Sequence, residues 1–152
     1  MTAGLARRSD QEKFDRFTKI AARALGVPIV SLSLVGPRRG VVTSSAGLPA
    51  PLVLLLAHRF CRHVALSRRP LVIGDARRHP LGAKTPAVRD GLVTAYAGLP
   101  LFDPRGRTLG TLCAMDTRPR AWTRAELERL HDVAWVLRQA VDWRPARRPR
   151  HG

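Results

Sequence analysis

The chain has 152 residues and a mass of 16.8 kDa, a size that fits one domain and hides roughly 69% of the unfolded surface on folding. Hydrophobic residues at 45% and charged residues at 25% exclude wholesale disorder. The longest apolar run, Leu52 to Ala57, is far short of the ~20 residues that cross a bilayer.

The formal charge is +16, from 27 basic against 11 acidic residues. Such a field would draw nucleic acid, acidic proteins or anionic ligands. No acid lies between Asp15 and Asp75, and the tail from Trp143 to Gly152 adds Arg144, Arg147, Arg148 and Arg150 with no acid. Only Lys13, Lys19 and Lys84 are lysines, however. That arginine skew, with abundant Ala and Pro, fits a GC-rich genome as well as a function, so nucleic-acid binding is kept as an alternative. No apolar signal region precedes Arg7 and Arg8, so a cytoplasmic protein is expected. Cys61 and Cys113 are too few for a disulfide scaffold and lack zinc-finger spacing.

Residues 1–9 read as a disordered lead. Ser9 and Glu12 form a capping box, and Phe14, Phe17, Ile20, Ala21, Ala24 and Leu25 follow at helical spacing. A helix is expected over residues 10–25, closed by Gly26 and kept closed by Pro28. From Ile29 the period becomes two: Val30, Leu32 and Leu34 alternate with Ser31 and Ser33. Gly36-Pro37-Arg38-Arg39-Gly40 then turns the chain into Val41 to Ala46, a β-hairpin. Helical spacing returns with Leu52, Leu55, Leu56, Phe60 and Val64, and Val53, Leu54 and Ala57 widen the apolar arc.

Leu71-Val72-Ile73 is a short strand ending at Gly74-Asp75. Residues 76–92, with Pro80 and Pro86, read as a loop with a short helical piece. Tyr96 to Phe102 and Leu109 to Met115 are strands joined through Asp103-Pro104-Arg105-Gly106. Thr123 and Glu126 make a second capping box before a helix whose stripe is Leu127, Leu130, Ala134, Leu137 and Val141. The domain runs over residues 10–142, and residues 143–152 form a basic, disordered tail. These faces are buried most simply by an α/β (α+β) fold, a central antiparallel sheet flanked by helices.

Specific strings can then be weighed. Phe60-Cys61-Arg62-His63-Val64 ends a helix, and Pro70-Leu71-Val72-Ile73-Gly74-Asp75-Ala76 follows. Then come Tyr96-Ala97-Gly98-Leu99-Pro100-Leu101, Gly106, Leu109-Gly110-Thr111-Leu112-Cys113-Ala114-Met115-Asp116 and Pro119-Arg120. This ordered set resembles the GAF domain family, in the subgroup common in bacterial sensor kinases and diguanylate cyclases. The resemblance implies a sensory module with terminal helices on one sheet face and a pocket-covering helix and loops on the other. It also implies a small ligand in that pocket, helix-paired dimers, and a signal passed to a protein partner. The chain carries no kinase, cyclase or DNA-binding output string, so output is expected through a partner or self-association.

The candidate ligand contacts are Phe60 and Cys61 from the covering helix, Ile73 and Asp75 from the strand after it, and Tyr96. Leu112 and Ala114, or Cys113 and Met115 if the other face points inward, form the floor. Each has a plainer reading as core or, for Asp75 and Asp116, as a turn cap. Reactive chemistry at Cys61, helped by Arg62 or His63, is weighed against simple packing of both cysteines. The cofactor stays unassigned. The Cys-His and Asp-x-Cys-Phe strings of bilin-binding relatives are absent. A metal on His58, Cys61 and His63 is disfavoured because His63 lies about 140° around the helix from His58.

The family's catalytic branch, the free methionine sulfoxide reductases, uses a constellation of cysteines in strings that do not match this chain. A non-catalytic protein is expected, with a cysteine redox enzyme or redox sensor as the alternative. Trp135 lies about 130° from the centre of its helix's apolar stripe and is the expected anchor of a homodimer.

Overall fold

The structure, a computed structural model, describes residues 8–36, 40–47 and 50–140. Residues 1–7 of the lead expected over residues 1–9, the hairpin turn at residues 37–39, Val141 and the tail lie outside the described residues. The same holds for the side chains of the apolar arc from Leu52 to Ala57.

Helix α1 (Arg8–Leu25) leads into strands β1 (Ile29–Gly36) and β2 (Gly40–Ala46), then helix α2 (Ala50–Ser67) and strand β3 (Leu71–Ile73). A 3-10 turn (Ala76–Arg78) and the short helices α3 (Pro80–Ala83) and α4 (Pro86–Arg89) fill the irregular segment. Strands β4 (Ala95–Phe102) and β5 (Thr108–Asp116) and helix α5 (Arg124–Ala140) complete the described chain. The five strands form one antiparallel sheet in the order β2-β1-β5-β4-β3.

Local chemistry accounts for most boundaries. Gly26, at φ +66°, ends α1; its N–H reaches the Arg23 carbonyl and the Val27 N–H reaches Ala22. That is the Schellman pattern a left-handed glycine permits. At α5 the capping box forms in both directions: the Thr123 N–H donates to Glu126 Oε1 at 2.9 Å and the Glu126 N–H to Thr123 Oγ1 at 3.1 Å. The Thr123 N–H bond, and then Arg120, hold the Glu126 carboxyl below its usual range. Pro80 and Pro86 each open a short helix, where a missing N–H costs nothing. The segment expected to hold one helical piece therefore holds two helices and a 3-10 turn.

Two expectations about α1 are corrected. The helix begins at Arg8, which puts Ser9 inside its first turn instead of at the cap. Ile20 and Ala24 face solvent, and the buried line is Phe14, Thr18, Ala21 and Leu25. Thr18 belongs there because it has polar company. Its hydroxyl lies 3.1 Å from Ser44 Oγ, which donates to Asp15 Oδ1 at 2.6 Å. A satisfied buried hydroxyl costs little, so the stripe turns toward β2 and leaves Ile20 outside.

The sheet separates two apolar layers. On one face, Phe14, Ala21 and Leu25 of α1 and Leu130, Ala134 and Leu137 of α5 pack on Val30, Leu32, Leu34, Ala97, Leu99, Leu101, Leu112 and Ala114. On the other face, Phe60 and Val64 of α2, with Ala76, Ala87, Val88 and Val93, pack on Ile29, Ile73, Tyr96, Cys113 and Met115. This is the expected arrangement of terminal helices on one face and covering elements on the other.

Arg120 ties the edges of both layers together. It donates to Asp116 Oδ2 at 3.0 Å, to Glu126 Oε2 through Nε at 2.9 Å, and to the Gly26 carbonyl at 3.3 Å. Its backbone N–H reaches the Gly74 carbonyl at 2.9 Å. Next to it, the Trp122 indole N–H donates to the Ile73 carbonyl at 3.0 Å. No helix among the described residues is long and apolar enough to cross a membrane.

Candidate functional site

The strand period decides which candidates meet. In β5, Cys113 and Met115 point toward α2, whereas Leu112 and Ala114 point toward α1 and α5. Leu112 is therefore removed from the candidate site, with the sheet between it and Cys61. Phe60, Cys61, Ile73, Tyr96, Cys113 and Met115 share the α2 side. Asp75 does not join them. It caps the 3-10 turn, accepting from the Arg77 N–H and pairing with the Arg77 guanidinium at 2.8 and 2.9 Å. The Arg77 side-chain hydrogen bond comes first among the causes that hold the Asp75 carboxyl down at about 2. The turn-cap reading accounts for Asp75 in full.

At the centre of the α2 layer is a triad of polar atoms. Cys61 Sγ lies 3.5 Å from Cys113 Sγ, and the Tyr96 hydroxyl lies 2.9 Å from Cys113 Sγ and 3.6 Å from Cys61 Sγ. Thr111, two residues before Cys113 on the same strand face, is buried as well. Phe60 stacks on the Tyr96 ring with centroids 4.9 Å apart. Phe60, Tyr96, Cys113 and Met115 are fully buried, while Cys61 is half-buried.

Tyr96 reaches Cys113 because Gly98 lies beside it. Tyr96 pairs with Met115 and Gly98 with Cys113, so the phenol lies along β4 across the glycine. A Cβ on Gly98 would come within 2.4 Å of the Tyr96 hydroxyl oxygen and 2.7 Å of two ring carbons. The Tyr-Ala-Gly order is thus a packing unit that sets the phenol among the sulfurs.

The two thiols are unequal. The Cys113 thiol, hydrogen-bonded to Cys61, does most to lower the Cys61 pKa, to about 7 against the opposing effect of burial, and Tyr96 and Thr111 add to the lowering. Arg62 and His63, the expected helpers, are not among the causes; both side chains point outward. Burial pushes the Cys113 thiol and the Tyr96 phenol up, so both stay protonated at neutral pH. Cys61 is therefore more readily ionised at neutral pH than an ordinary cysteine, of which a few per cent is thiolate. The site thus joins a half-buried thiol of lowered pKa to a fully buried, protonated one.

Sequence reasoning missed Thr111, Ser31 and Gly98. Ser31 pairs with Cys113 across β1 and β5 and is buried. The available signal was the row of small polar residues, Ser31, Ser33, Thr111 and Cys113, recurring every second position opposite the leucines. No group of three or more His, Cys, Asp or Glu suited to a metal ion occurs among the described residues.

With this geometry in hand, known proteins place the chain. Residues 11–141 match the GAF domain family. A cyclic di-GMP phosphodiesterase of Pseudomonas aeruginosa is 28% identical over 120 residues, which are 77% of this chain and 20% of that enzyme. The chain thus spans about a fifth of that relative's length. The GAF domain of an Acinetobacter phosphoenolpyruvate-protein phosphotransferase superposes with a TM-score of 0.65 at 18% identity, covering 85% of this chain and 79% of that one. The free methionine-R-sulfoxide reductase of Neisseria meningitidis, solved with its substrate, gives 0.63 at 20% identity, covering 85% and 75%. At these identities the superpositions speak for the fold alone. The family match over most of the chain and the five-stranded antiparallel sheet between its helices agree: this protein belongs to the GAF domain family, whose members are commonly small-ligand-sensing regulatory modules.

Proposed function

We propose that this chain is a regulatory module without catalysis of its own. It senses through the layer under α2 and reports through protein contacts made by the α1–α5 layer, first of all with a second copy of itself. One observation carries the output half. Trp135 is 62% exposed and its neighbour Val136 53%, and Ile20 on α1 is 60% exposed. Scattered apolar residues are ordinary on a surface, but an exposed Trp with an apolar neighbour beside it is an anchor of the kind interfaces use.

Charge supports the same helix. At +16 two copies repel each other over most of their surfaces. Helix α5 is the exception, with Glu126, Glu128 and Asp132 against Arg124, Arg129 and Arg138. Two such helices can meet with opposite charges facing. The sensing half is supported by β4 and β5, whose alternate residues touch both layers. A shift of Cys113 or Tyr96 therefore moves Leu112, Ala114 and Ala97 beneath α1 and α5.

Sedimentation equilibrium under reducing conditions tests the output half. The wild type is expected to dimerise at micromolar concentration, and Trp135→Ala to weaken the dimer at least tenfold with its circular dichroism unchanged, as truncation of an interface anchor does. A wild type that stays monomeric at high micromolar concentration overturns self-association as the output.

A further inference from the structure

We infer that Cys61 and Cys113 are a reversible redox pair that hydroperoxides convert to an intrachain disulfide, with Cys61 as the attacking and Cys113 as the resolving thiol. The inference rests on the sensing role proposed above and names its stimulus.

The two cysteines are 52 residues apart in sequence, on different elements, yet their sulfurs approach to 3.5 Å. A disulfide needs 2.03–2.05 Å, so a closure of about 1.5 Å joins them. The bond would link α2 to β5, elements already in contact.

The environment then divides the labour. Cys61 is the half-buried member and Cys113 the fully buried one, so a peroxide from solvent meets Cys61 first. The ionised form of Cys61 is the nucleophile, and the Cys113 thiol, 3.5 Å away, is placed to donate to it. The Tyr96 hydroxyl, protonated and 2.9 Å from Cys113, fixes that side chain beside its partner.

The chemistry balances in two steps. The Cys61 thiolate attacks one oxygen of the hydroperoxide and breaks the O–O bond. Cys61 becomes a sulfenic acid, and the departing alkoxide, or hydroxide from hydrogen peroxide, takes a proton from solvent. Cys113 sulfur then attacks Cys61 sulfur, breaking its S–O bond. The hydroxyl leaves as water with the Cys113 proton, and the S–S bond forms. In sum, two thiols lose two protons and two electrons, and one hydroperoxide becomes one alcohol and one water. A dithiol reverses the change by exchange.

The buried partner has a protective effect. A sulfenic acid alone proceeds to sulfinic acid, which does not return. With a thiol one contact away, condensation competes with that second oxidation and keeps the site reversible.

The test is intact mass spectrometry of the full chain. Reduced protein is treated with hydrogen peroxide near stoichiometric, then unfolded in an alkylating reagent. The wild type is expected to lose two hydrogens and to take no alkyl group, and dithiothreitol is expected to restore two alkylatable thiols. Cys113→Ser is expected to stop at a sulfenic acid on Cys61 that dimedone traps, and Cys61→Ser to leave Cys113 reduced at the same dose. Two free thiols in the treated wild type, or Cys61 carried to sulfinic acid beside a free Cys113, overturns the pair. The wild-type measurement needs no substitution, so a variant that fails to fold does not blunt it. Sedimentation in reductant is independent of it, so failure of the redox pair and failure of the output face are read separately.

Discussion

Phe60→Ala is expected to cost about 4 kcal/mol, within the range for truncating a fully buried aromatic. Phe60 has no exposed surface and lies 4.9 Å, ring to ring, from Tyr96. Its removal takes away transfer energy, a ring-ring contact and the lid over the phenol. The gap left beneath α2 is lined by Tyr96, Met115 and Val64, all fully buried, which can relax only by moving α2 toward the sheet. A domain of this size is typically stable by 5–15 kcal/mol, so the loss takes a large share of the total. Urea unfolding should show the midpoint fall with the slope nearly unchanged. A cost under 1 kcal/mol would show that the α2 layer is loosely packed and that Phe60 is free to serve a ligand.

Gly98→Ala is expected to cost about 3 kcal/mol, although alanine is the better strand residue by 0.5–1 kcal/mol. The new Cβ meets the Tyr96 phenol at 2.4 to 2.7 Å. Phe60 above and Cys113 beside it leave the ring nowhere to go. The cost should be strongly coupled to the ring. In a Tyr96→Leu background the same substitution should be nearly neutral, giving a double-mutant coupling above 1 kcal/mol. Simple additivity would mean that the clash is relieved elsewhere and that the phenol is not pinned by the glycine.

Most elements were legible in the sequence because they are written in local chemistry. The Gly26 cap, the Thr123–Glu126 box and the change of period at Ile29 speak of backbone needs that no distant contact alters. Which residues share a site was less legible. Strands β4 and β5 are buried on both faces over most of their length, so apolar alternation gives no sign of which face meets α2. Leu112 and Cys113 were both reasonable floor residues, and only the pairing register separates them. Thr18 shows the same limit. Its burial depends on Ser44 and Asp15, and Ser44 is 26 residues away. The nearness of Cys61 and Cys113 was the least legible feature, since neither cysteine has a spacing that points to the other.

The thiol layer under α2 and the exposed face of α5 are proposed as two ends of one device. The most direct measurement is the dimer dissociation constant by sedimentation equilibrium, taken on fully reduced protein and on protein carrying the Cys61–Cys113 disulfide. Closing the sulfurs pulls on β5, whose other face supports the helix layer. A coupling of at least 1 kcal/mol, the low end for linked sites, shifts the constant about fivefold. A shift of that size or larger is expected, abolished in Cys61→Ser after the same peroxide treatment. Identical constants for the reduced and disulfide forms would contradict it.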